Sequence, residues 1–197
     1  MDSRRAVNSN VSPPTRRGNM AADLCELYFG TAIQYYVAGR YAVFSGLTPV
    51  AGSILHHAVE MALKGHLSRK LAAADLKALK HSLDKLWRAF KKSLPARDLK
   101  EYDVAIARLD QFETIRYPEH VAGHGMLVQQ DATKVVSRSK SKLPSPVPRY
   151  DLRLQDVDAL LDAIFDCASV NPKFFVGGLN SNAKQYLSEN NVTRLAG

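Results

Sequence analysis

The sequence predicts a mainly α protein: an up-and-down bundle of four to five helices, with a small β-hairpin and a C-terminal helix attached. Apolar residues recur every three or four positions in five separate stretches, which is typical of amphipathic helices. Short connections join the first four of these stretches, as in helical bundles. The length of 197 residues suits one domain with appendages better than two full domains.

Two helices are predicted in the first part of the chain, over residues 20–45 and 48–68. In the second, Thr48 is a suitable N-cap and Pro49 fits the first helical position. The two helices are expected to pack as a hairpin. The inward stripe of the first is predicted to contain Leu24, Tyr28, Ala32, Tyr35, Gly39 and Val43.

A second pair of helices is expected over residues 82–94 and from residue 98 to about residue 116. Pro118 ends the later helix, because the residue before a proline is disfavoured in helical geometry. Asp98 and Glu101 have the spacing of a capping box at its start. Its inward stripe is predicted to contain Tyr102, Ile106, Leu109, Phe112 and Arg116.

The rest of the chain has a different character. The segments GMLVQQD and PRYDLRL are predicted as the two strands of the hairpin, and the link SRSKSKLPSPVP has the composition of a mobile basic loop. A further helix is predicted over residues 155–168, followed by a short one. The predicted divisions are a disordered leader (1–19), a helical bundle (20–124), a hairpin with a basic loop (125–150) and a C-terminal helical extension packed on the bundle (151–197).

The composition favours a cytoplasmic protein without a membrane segment. No stretch approaches the roughly 18 to 20 consecutive apolar residues of a membrane helix. The basic N-terminus is not followed by the apolar segment of a secretory signal, and Met20 is a candidate alternative start. Cys25 and Cys167 lie far apart in apolar helical patterns, so both are interpreted as buried free thiols in a reducing compartment.

The net charge of +8 is unevenly distributed along the chain. Residues 64–100 contain eleven lysines and arginines against three acids, and residues 133–149 contain five and no acid. Residues 101–131 are acidic, with six acids and two arginines. Clustered basic residues favour a polyanionic partner, nucleic acid above all, although lysines on helix faces are often only solvated.

The second predicted helix contains the first candidate site, in the run HHAVEMALKGH. Here His56, His57, Glu60 and Lys64 lie three or four residues apart on one face. Two interpretations are open. Either Glu60 and Lys64 form a surface ion pair worth about 0.3–0.5 kcal/mol, or Glu60 lies in a cleft and binds Arg116 across the bundle. No third metal ligand is evident near this run, so neither a metal nor a cofactor is expected.

The motif FETIRYPEH, at the end of the fourth predicted helix, is the second candidate site. Arg116 continues the apolar stripe, so its guanidinium is expected to point inward and to need a carboxylate, the terminal carbonyls or a ligand phosphate. Tyr117 is a candidate for stacking on a base. His120 and His124 follow in the next loop, where either is suited to acid or base chemistry near neutral pH.

Three segments, ILHHAVEMALKGHL, LKHSLDKLWRAF and LDQFETIRYPEH, resemble in order and spacing the HEPN (higher eukaryotes and prokaryotes nucleotide-binding) domain family. The resemblance covers about residues 20–120 and is closest to the branch with an RYP[DE] motif, which is associated with nucleotide binding. The first element is an ExxxK-like second helix, here Glu60 with Lys64. The second is an HxL motif that opens the next helix, here His81 with Leu83. The third is the closing RYP[DE] motif, here Arg116 to Glu119.

The resemblance implies a helical bundle, often a homodimer, that binds a nucleotide or RNA and in many cases has a small nucleotidyltransferase as its partner. The first hypothesis is therefore a binding module in which Glu60, Lys64, Arg116 and Tyr117 hold a nucleotide or RNA phosphate. The second is a metal-independent endoribonuclease, with Arg116 stabilising charge on the phosphate and His120 as general acid or base. The third is a protein-interaction bundle with no ligand.

Overall fold

The computed structural model describes residues 16–114, 119, 125–129 and 149–196. Its helices are α1 (Arg16–Phe44), α2 (Thr48–Leu67), α3 (Ala73–Ala78), α4 (Leu83–Lys92), α5 (Asp103–Gln111), α6 (Leu154–Cys167), α7 (Lys173–Val176) and α8 (Ser181–Ser188). The other elements are strands β1 (Gly125–Gln129) and β2 (Arg149–Arg153) and the 3-10 turns Lys100–Tyr102 and Arg194–Ala196. The predicted mainly α fold is confirmed. Within the described ranges, no helix is long and apolar enough to cross a membrane.

Helix α2 is the centre of the bundle. It packs most extensively against α1, to which residues 45–47 connect it, and it also contacts α4, α5, α6 and β1. The α2 side chains that meet these neighbours are wholly buried: Ala51, Leu55, Ala58, Val59, Ala62 and Leu63. Because burying one leucine side chain contributes about 1.5–3 kcal/mol, this packing holds α2, and the polar residues on it, in a fixed position.

Small residues allow α2 to approach its neighbours closely. A Cβ atom at Gly52 would lie 1.9 Å from the ring of Phe112, which follows α5, and a Cβ atom at Gly65 would lie 2.8 Å from the Phe29 ring of α1. Both rings are fully buried and cannot move toward solvent without opening the core. The two glycines are therefore required by packing.

We expect Gly52→Ala to lower the free energy of unfolding by about 1–3 kcal/mol. The overlap with Phe112 outweighs the gain of about 1 kcal/mol in helix propensity. Gly30→Ala is the matched control, because its Cβ would lie 3.5 Å from Phe175, an ordinary contact; this variant should be neutral or stabilising. Chemical denaturation of the two variants and the wild type checks the prediction, which equal stability of Gly52→Ala and the wild type would contradict.

The strands contradict the predicted β-hairpin. β1 and β2 lie where the sequence predicts strands, but they pair in parallel, with Gly125 opposite Arg149 and Gln129 opposite Arg153. A hairpin needs antiparallel strands joined by a tight turn, whereas the connection over residues 130–148 is long enough for the crossover that parallel strands require. β1 contacts α2 and β2 contacts α5, so the strand pair is held against the bundle.

The inward face of α1 is displaced from the predicted stripe. Leu24 and Tyr35 are 40% and 39% exposed. The displacement has a tertiary cause: α1 is covered by α2 and also by α7 and α8, so its buried surface faces two sets of neighbours. The buried residues are Cys25, Phe29, Ala32, Ile33, Tyr36, Gly39, Arg40, Ala42 and Val43.

Several helix boundaries also differ from the prediction. Leu47, without a side-chain hydrogen bond, is the N-cap of α2, so Thr48 is its first residue. The helix predicted from Asp98 starts as a 3-10 turn, and within residues 98–114, which the structure describes, its α-helical part is α5. α1 begins at Arg16, inside the predicted leader, and the sequence patterns do not predict α3. Helix ends depend on local capping and neighbours, which apolar periodicity does not report.

A buried polar network joins the C-terminal segment to α1. The guanidinium of Arg40 is fully buried and lies 2.6 Å from both carboxylate oxygens of Asp158 on α6. It also donates to the main-chain carbonyls of Tyr186, at 2.6 Å, and of Glu189. Tyr36, one turn before Arg40, donates its hydroxyl hydrogen to Asp158. The network therefore fixes α6 and α8 on α1 through charge-assisted hydrogen bonds.

Candidate functional site

Glu60 lies at the centre of a cluster of ionisable side chains and is itself fully buried. Lys64 donates to its Oε1 at 2.6 Å, and His81 Nδ1 lies 2.9 Å from the same oxygen. His57 Nδ1 lies 3.0 Å from Oε2. Helical spacing brings His57 and Lys64 to the carboxylate, whereas His81 reaches it from the turn between α3 and α4. We call these four residues the Glu60 cluster.

The cluster keeps Glu60 ionised. Burial by itself raises the pKa of a carboxyl group, because it penalises the charged form. At Glu60 this effect is outweighed by hydrogen bonds from His57 and Lys64 and by the positive charges of Lys64 and His81, and the pKa falls from 4.5 to about 2. Glu60 therefore carries a negative charge at any pH near neutrality. Glu60 and Lys64 do form an ion pair. Because Glu60 is fully buried, however, it is not the surface ion pair that the first interpretation of the sequence describes.

His56, on the same helix, connects the cluster to the rest of the bundle. It is fully buried, with Nδ1 3.0 Å from the carbonyl oxygen of Leu109 on α5 and Nε2 3.0 Å from the carbonyl oxygen of His81. Each ring nitrogen thus has a main-chain carbonyl oxygen as its hydrogen-bond partner, and these two contacts fix the orientation of the ring. The carboxylates of Glu60 and Glu113 lie 4.0 and 3.7 Å from Nε2.

Three potential metal ligands also converge here. The ligand atoms of His56, His57 and Glu60 lie within 4.8 Å of one another. Each of these atoms already has a hydrogen-bond partner: His56 faces two carbonyl oxygens, and His57 faces Glu60. A ring nitrogen that donates to a carbonyl or carboxylate oxygen carries a hydrogen and has no lone pair free for a metal. We therefore assign the three residues to the hydrogen-bonded cluster and not to a metal site.

A groove of about 810 Å³ opens beside the Glu60 cluster, within the size range of small-molecule sites. Residues from α1, α2, α3 and the turn after α3 line it. Its apolar lining residues are Leu24, Tyr28, Leu71, Ala73 and Leu76, and its polar lining residues are Lys64, Ser68, Lys77, Lys80 and His81. We call this feature the lysine groove.

The lysine groove has a positive lining. Among the described residues that line it there is no carboxylate. Lys77 and Lys80 are exposed, and the charge of Lys64 is paired with that of the buried Glu60. A concave surface lined by one sign of charge raises the local concentration of ions of opposite sign. The groove is thus suited to an anionic ligand that also has an apolar part.

The turn that carries His81 has an unfavourable backbone conformation. Lys80 has a φ of 53°, in the left-handed region that costs a residue with a Cβ roughly 1–2 kcal/mol. The carbonyl of His81 is held by His56, and its ring is held by Glu60. These contacts hold the turn in place, and they bring Lys80 and His81 to the groove beside Lys64.

The structure brings together only some of the predicted site residues. Glu60 and Lys64 lie side by side at the lysine groove. Arg116, Tyr117 and His120 lie outside the described residues, as does His124 of the same loop. The expected contact between Glu60 and Arg116 therefore stays a prediction, and the partners of Glu60 that the structure places are those of the cluster.

Sequence reasoning missed the contributions of Lys77, Lys80 and His81 to this site, and it did not predict the contacts of His56 with the carbonyls of Leu109 and His81. His81 is part of the HxL element of the family resemblance, but nothing in its spacing indicates that it contacts Glu60. The excess of basic residues over 64–100 was the available signal for Lys77 and Lys80. It could not separate lysines that line a groove from lysines that are only solvated.

Comparison of the chain with protein-family models, with curated proteins and with solved structures gives no match.

Proposed function

We propose that this protein binds the phosphate groups of a nucleotide or of RNA in the lysine groove. The observation that carries the proposal is the lining of the groove. The groove is lined by Lys64, Lys77, Lys80 and His81, without a carboxylate among the described lining residues, and also by five apolar or aromatic residues. Ammonium and imidazolium groups donate charge-assisted hydrogen bonds to phosphate oxygens.

The two kinds of lining residue match the two parts of such a ligand. Phosphate oxygens would meet the lysines, and the flat apolar face of a base would meet apolar lining residues such as Tyr28 and Leu76. The resemblance of the sequence to the HEPN family supports the same class of ligand. Lys64 has a defined position because Glu60 accepts from it at 2.6 Å, which lowers the entropy that it loses on binding.

The test is a binding titration on the full chain with adenosine triphosphate and with a short oligouridylate. We expect the double variant Lys77→Gln/Lys80→Gln to bind at least tenfold more weakly than the wild type, since two charge-assisted contacts are lost. The matched control is Lys92→Gln/Lys100→Gln, which removes the same charge from exposed lysines that do not line the groove. The control should lose much less affinity.

Thermal shift gives an independent measurement. A ligand at 100 times its Kd adds about 2.7 kcal/mol to the free energy of unfolding, which corresponds to a shift of several degrees in Tm for a chain of this length. Equal loss of affinity in both double variants would indicate non-specific attraction by net charge. No binding by the wild type to either probe would overturn the proposal.

The ribonuclease and the ligand-free interaction bundle stay predictions from the sequence, as do the homodimer and the nucleotidyltransferase partner. Arg116 and His120, on which the ribonuclease depends, lie outside the described residues. RNA cleavage that persists in the presence of a chelator and is lost in His120→Ala would favour that hypothesis over simple binding. Cleavage that survives in His120→Ala would rule out its proposed acid or base.

A further inference from the structure

His81 combines a fixed position with access to the groove. Its side chain is 59% exposed, and its Nδ1 lies 2.9 Å from the Oε1 of the buried carboxylate of Glu60. An ionised carboxylate only accepts hydrogen bonds, so Nδ1 carries a hydrogen whether the ring is neutral or charged. The remaining ring nitrogen, Nε2, is thereby left to the groove that His81 lines.

The protonation of Nε2 determines whether it can donate a hydrogen bond to a ligand or only accept one. In the neutral ring Nε2 is an acceptor with a lone pair, which repels a phosphate oxygen. In the imidazolium it is a charged donor, which binds one. Histidine changes charge between about pH 5 and pH 8, where a lysine ammonium stays charged. Four of the described residues that line the groove can carry positive charge, and among these His81 is the one suited to respond to pH near neutrality.

We propose that His81 is a phosphate ligand that takes up a proton when the ligand binds, and that Glu60 is the positioning residue that orients its ring. This inference rests on the proposed function and adds a mechanism to it. Glu60 remains ionised over the relevant range, because its hydrogen bonds and nearby positive charges hold its pKa at about 2 in spite of its burial. Its charge stabilises the imidazolium of His81, and its burial on α2 fixes the direction of the ring.

Other ionisable groups surround His81, and their effect on the pH dependence of binding has to be distinguished from that of His81. On α2, His57 and Lys64 bind the same carboxylate, and the ring of His57 lies 6.4 Å from that of His81. Lys77 of α3 and Lys80 of the same turn share the groove with it, together with Tyr28 of α1. His56 holds the carbonyl of His81, with the carboxylate of Glu113 beside it. Among these, His57 is the group most easily confused with His81, because it is also a histidine whose Nδ1 lies within hydrogen-bond distance of Glu60.

The experiment measures the affinity of the full chain for an oligouridylate without terminal phosphates, at pH 5.5 and pH 8.0 and at one ionic strength. Phosphodiester charges do not change over this range, so any pH dependence comes from the protein. We expect the wild type to bind about tenfold more weakly at pH 8.0, which corresponds to about 1.4 kcal/mol for one charged contact. Fluorescence anisotropy with a labelled probe gives both values of Kd.

Two variants assign the pH dependence. His81→Gln should bind with nearly equal affinity at the two pH values, since an amide does not titrate. The side chain of His81 is largely exposed and the bond from His56 is to its main chain, so this variant is expected to fold. His57→Gln is the matched control: it removes a histidine that also contacts Glu60 but does not line the groove, and it should keep the wild-type ratio.

Glu60→Gln tests the positioning role. The amide keeps the shape of the side chain but not its charge. In a plot of affinity for the oligouridylate against pH, the midpoint should therefore move to lower pH. Loss of stability alone would not produce this change. A pH ratio that persists in His81→Gln, or that disappears in His57→Gln, would overturn the assignment to His81 while binding itself remained. Absence of binding at both pH values would instead contradict the proposed function.

Discussion

Asp158→Ala is expected to lower the free energy of unfolding by about 3–5 kcal/mol, because it leaves the buried guanidinium of Arg40 without its counter-ion. Arg40 is fully buried and lies 2.6 Å from both oxygens of Asp158, which is itself only 2% exposed. The hydroxyl of Tyr36 also loses its acceptor. Denaturant titration followed by circular dichroism measures the change.

Two further variants test whether the loss of stability in Asp158→Ala comes from the unpaired buried charge of Arg40. Asp156→Ala removes an aspartate of the same helix whose side chain is 39% exposed and which lies 3.7 Å from Arg108, so it should cost less than about 1 kcal/mol. The double variant Arg40→Met/Asp158→Leu removes both buried charges and should recover part of the lost stability, since apolar residues often replace a buried ion pair at little cost. If Asp158→Ala were as stable as Asp156→Ala, the buried pair would have no structural role.

Replacement of Glu60 by glutamine is expected to lower the free energy of unfolding by about 3 kcal/mol near pH 7. The size of this loss is expected to depend on pH. The pKa of Glu60 falls from 4.5 to about 2 in the folded protein, and a lowered carboxyl pKa stabilises the fold when the group is ionised in both states. This contribution is complete above about pH 4.5 and is lost as the pH falls through 2. The wild type and Glu60→Gln should therefore differ most near pH 7 and converge near pH 2.

The difference between the two stability curves is the informative quantity, because other carboxyl groups titrate in both proteins. Glu26→Gln, which removes an exposed glutamate of α1, provides the control and should run parallel to the wild type. Urea denaturation at several pH values between 2 and 7 supplies the curves. A constant difference between wild type and Glu60→Gln would mean that the charge of Glu60 does not contribute to folding.

Several features of the fold could be predicted because they depend on neighbours within one helix turn. The helices predicted over 82–94 and 155–168 agree closely with α4 and α6, since each of these helices packs through one apolar stripe. Leu86, Trp87 and Phe90 are buried on α4, and Leu161 and Ile164 are buried on α6. α1 was predicted less well, because neighbours on two sides decide which of its residues are buried.

In the candidate site, too, some features depend on spacing within one helix and others depend on how the helices pack. Spacing alone places His57, Glu60 and Lys64 on one face of a helix, because residues three and four apart are neighbours on its surface. It does not show whether that face is covered. The burial of Glu60, which turns a weak surface pair into a fixed cluster, follows from the packing of α2 against several other elements.

The helical class, the run that contains Glu60 and Lys64, and the excess of basic residues could all be predicted, since each is a local property of composition or period. The parallel pairing of β1 and β2, the ion pair of Arg40 with Asp158, and the contact of His81 with Glu60 could be found only in the folded structure. These contacts join residues that are distant along the chain. Their formation depends on how the helices pack, and the local pattern of apolar residues does not encode which polar side chains then meet.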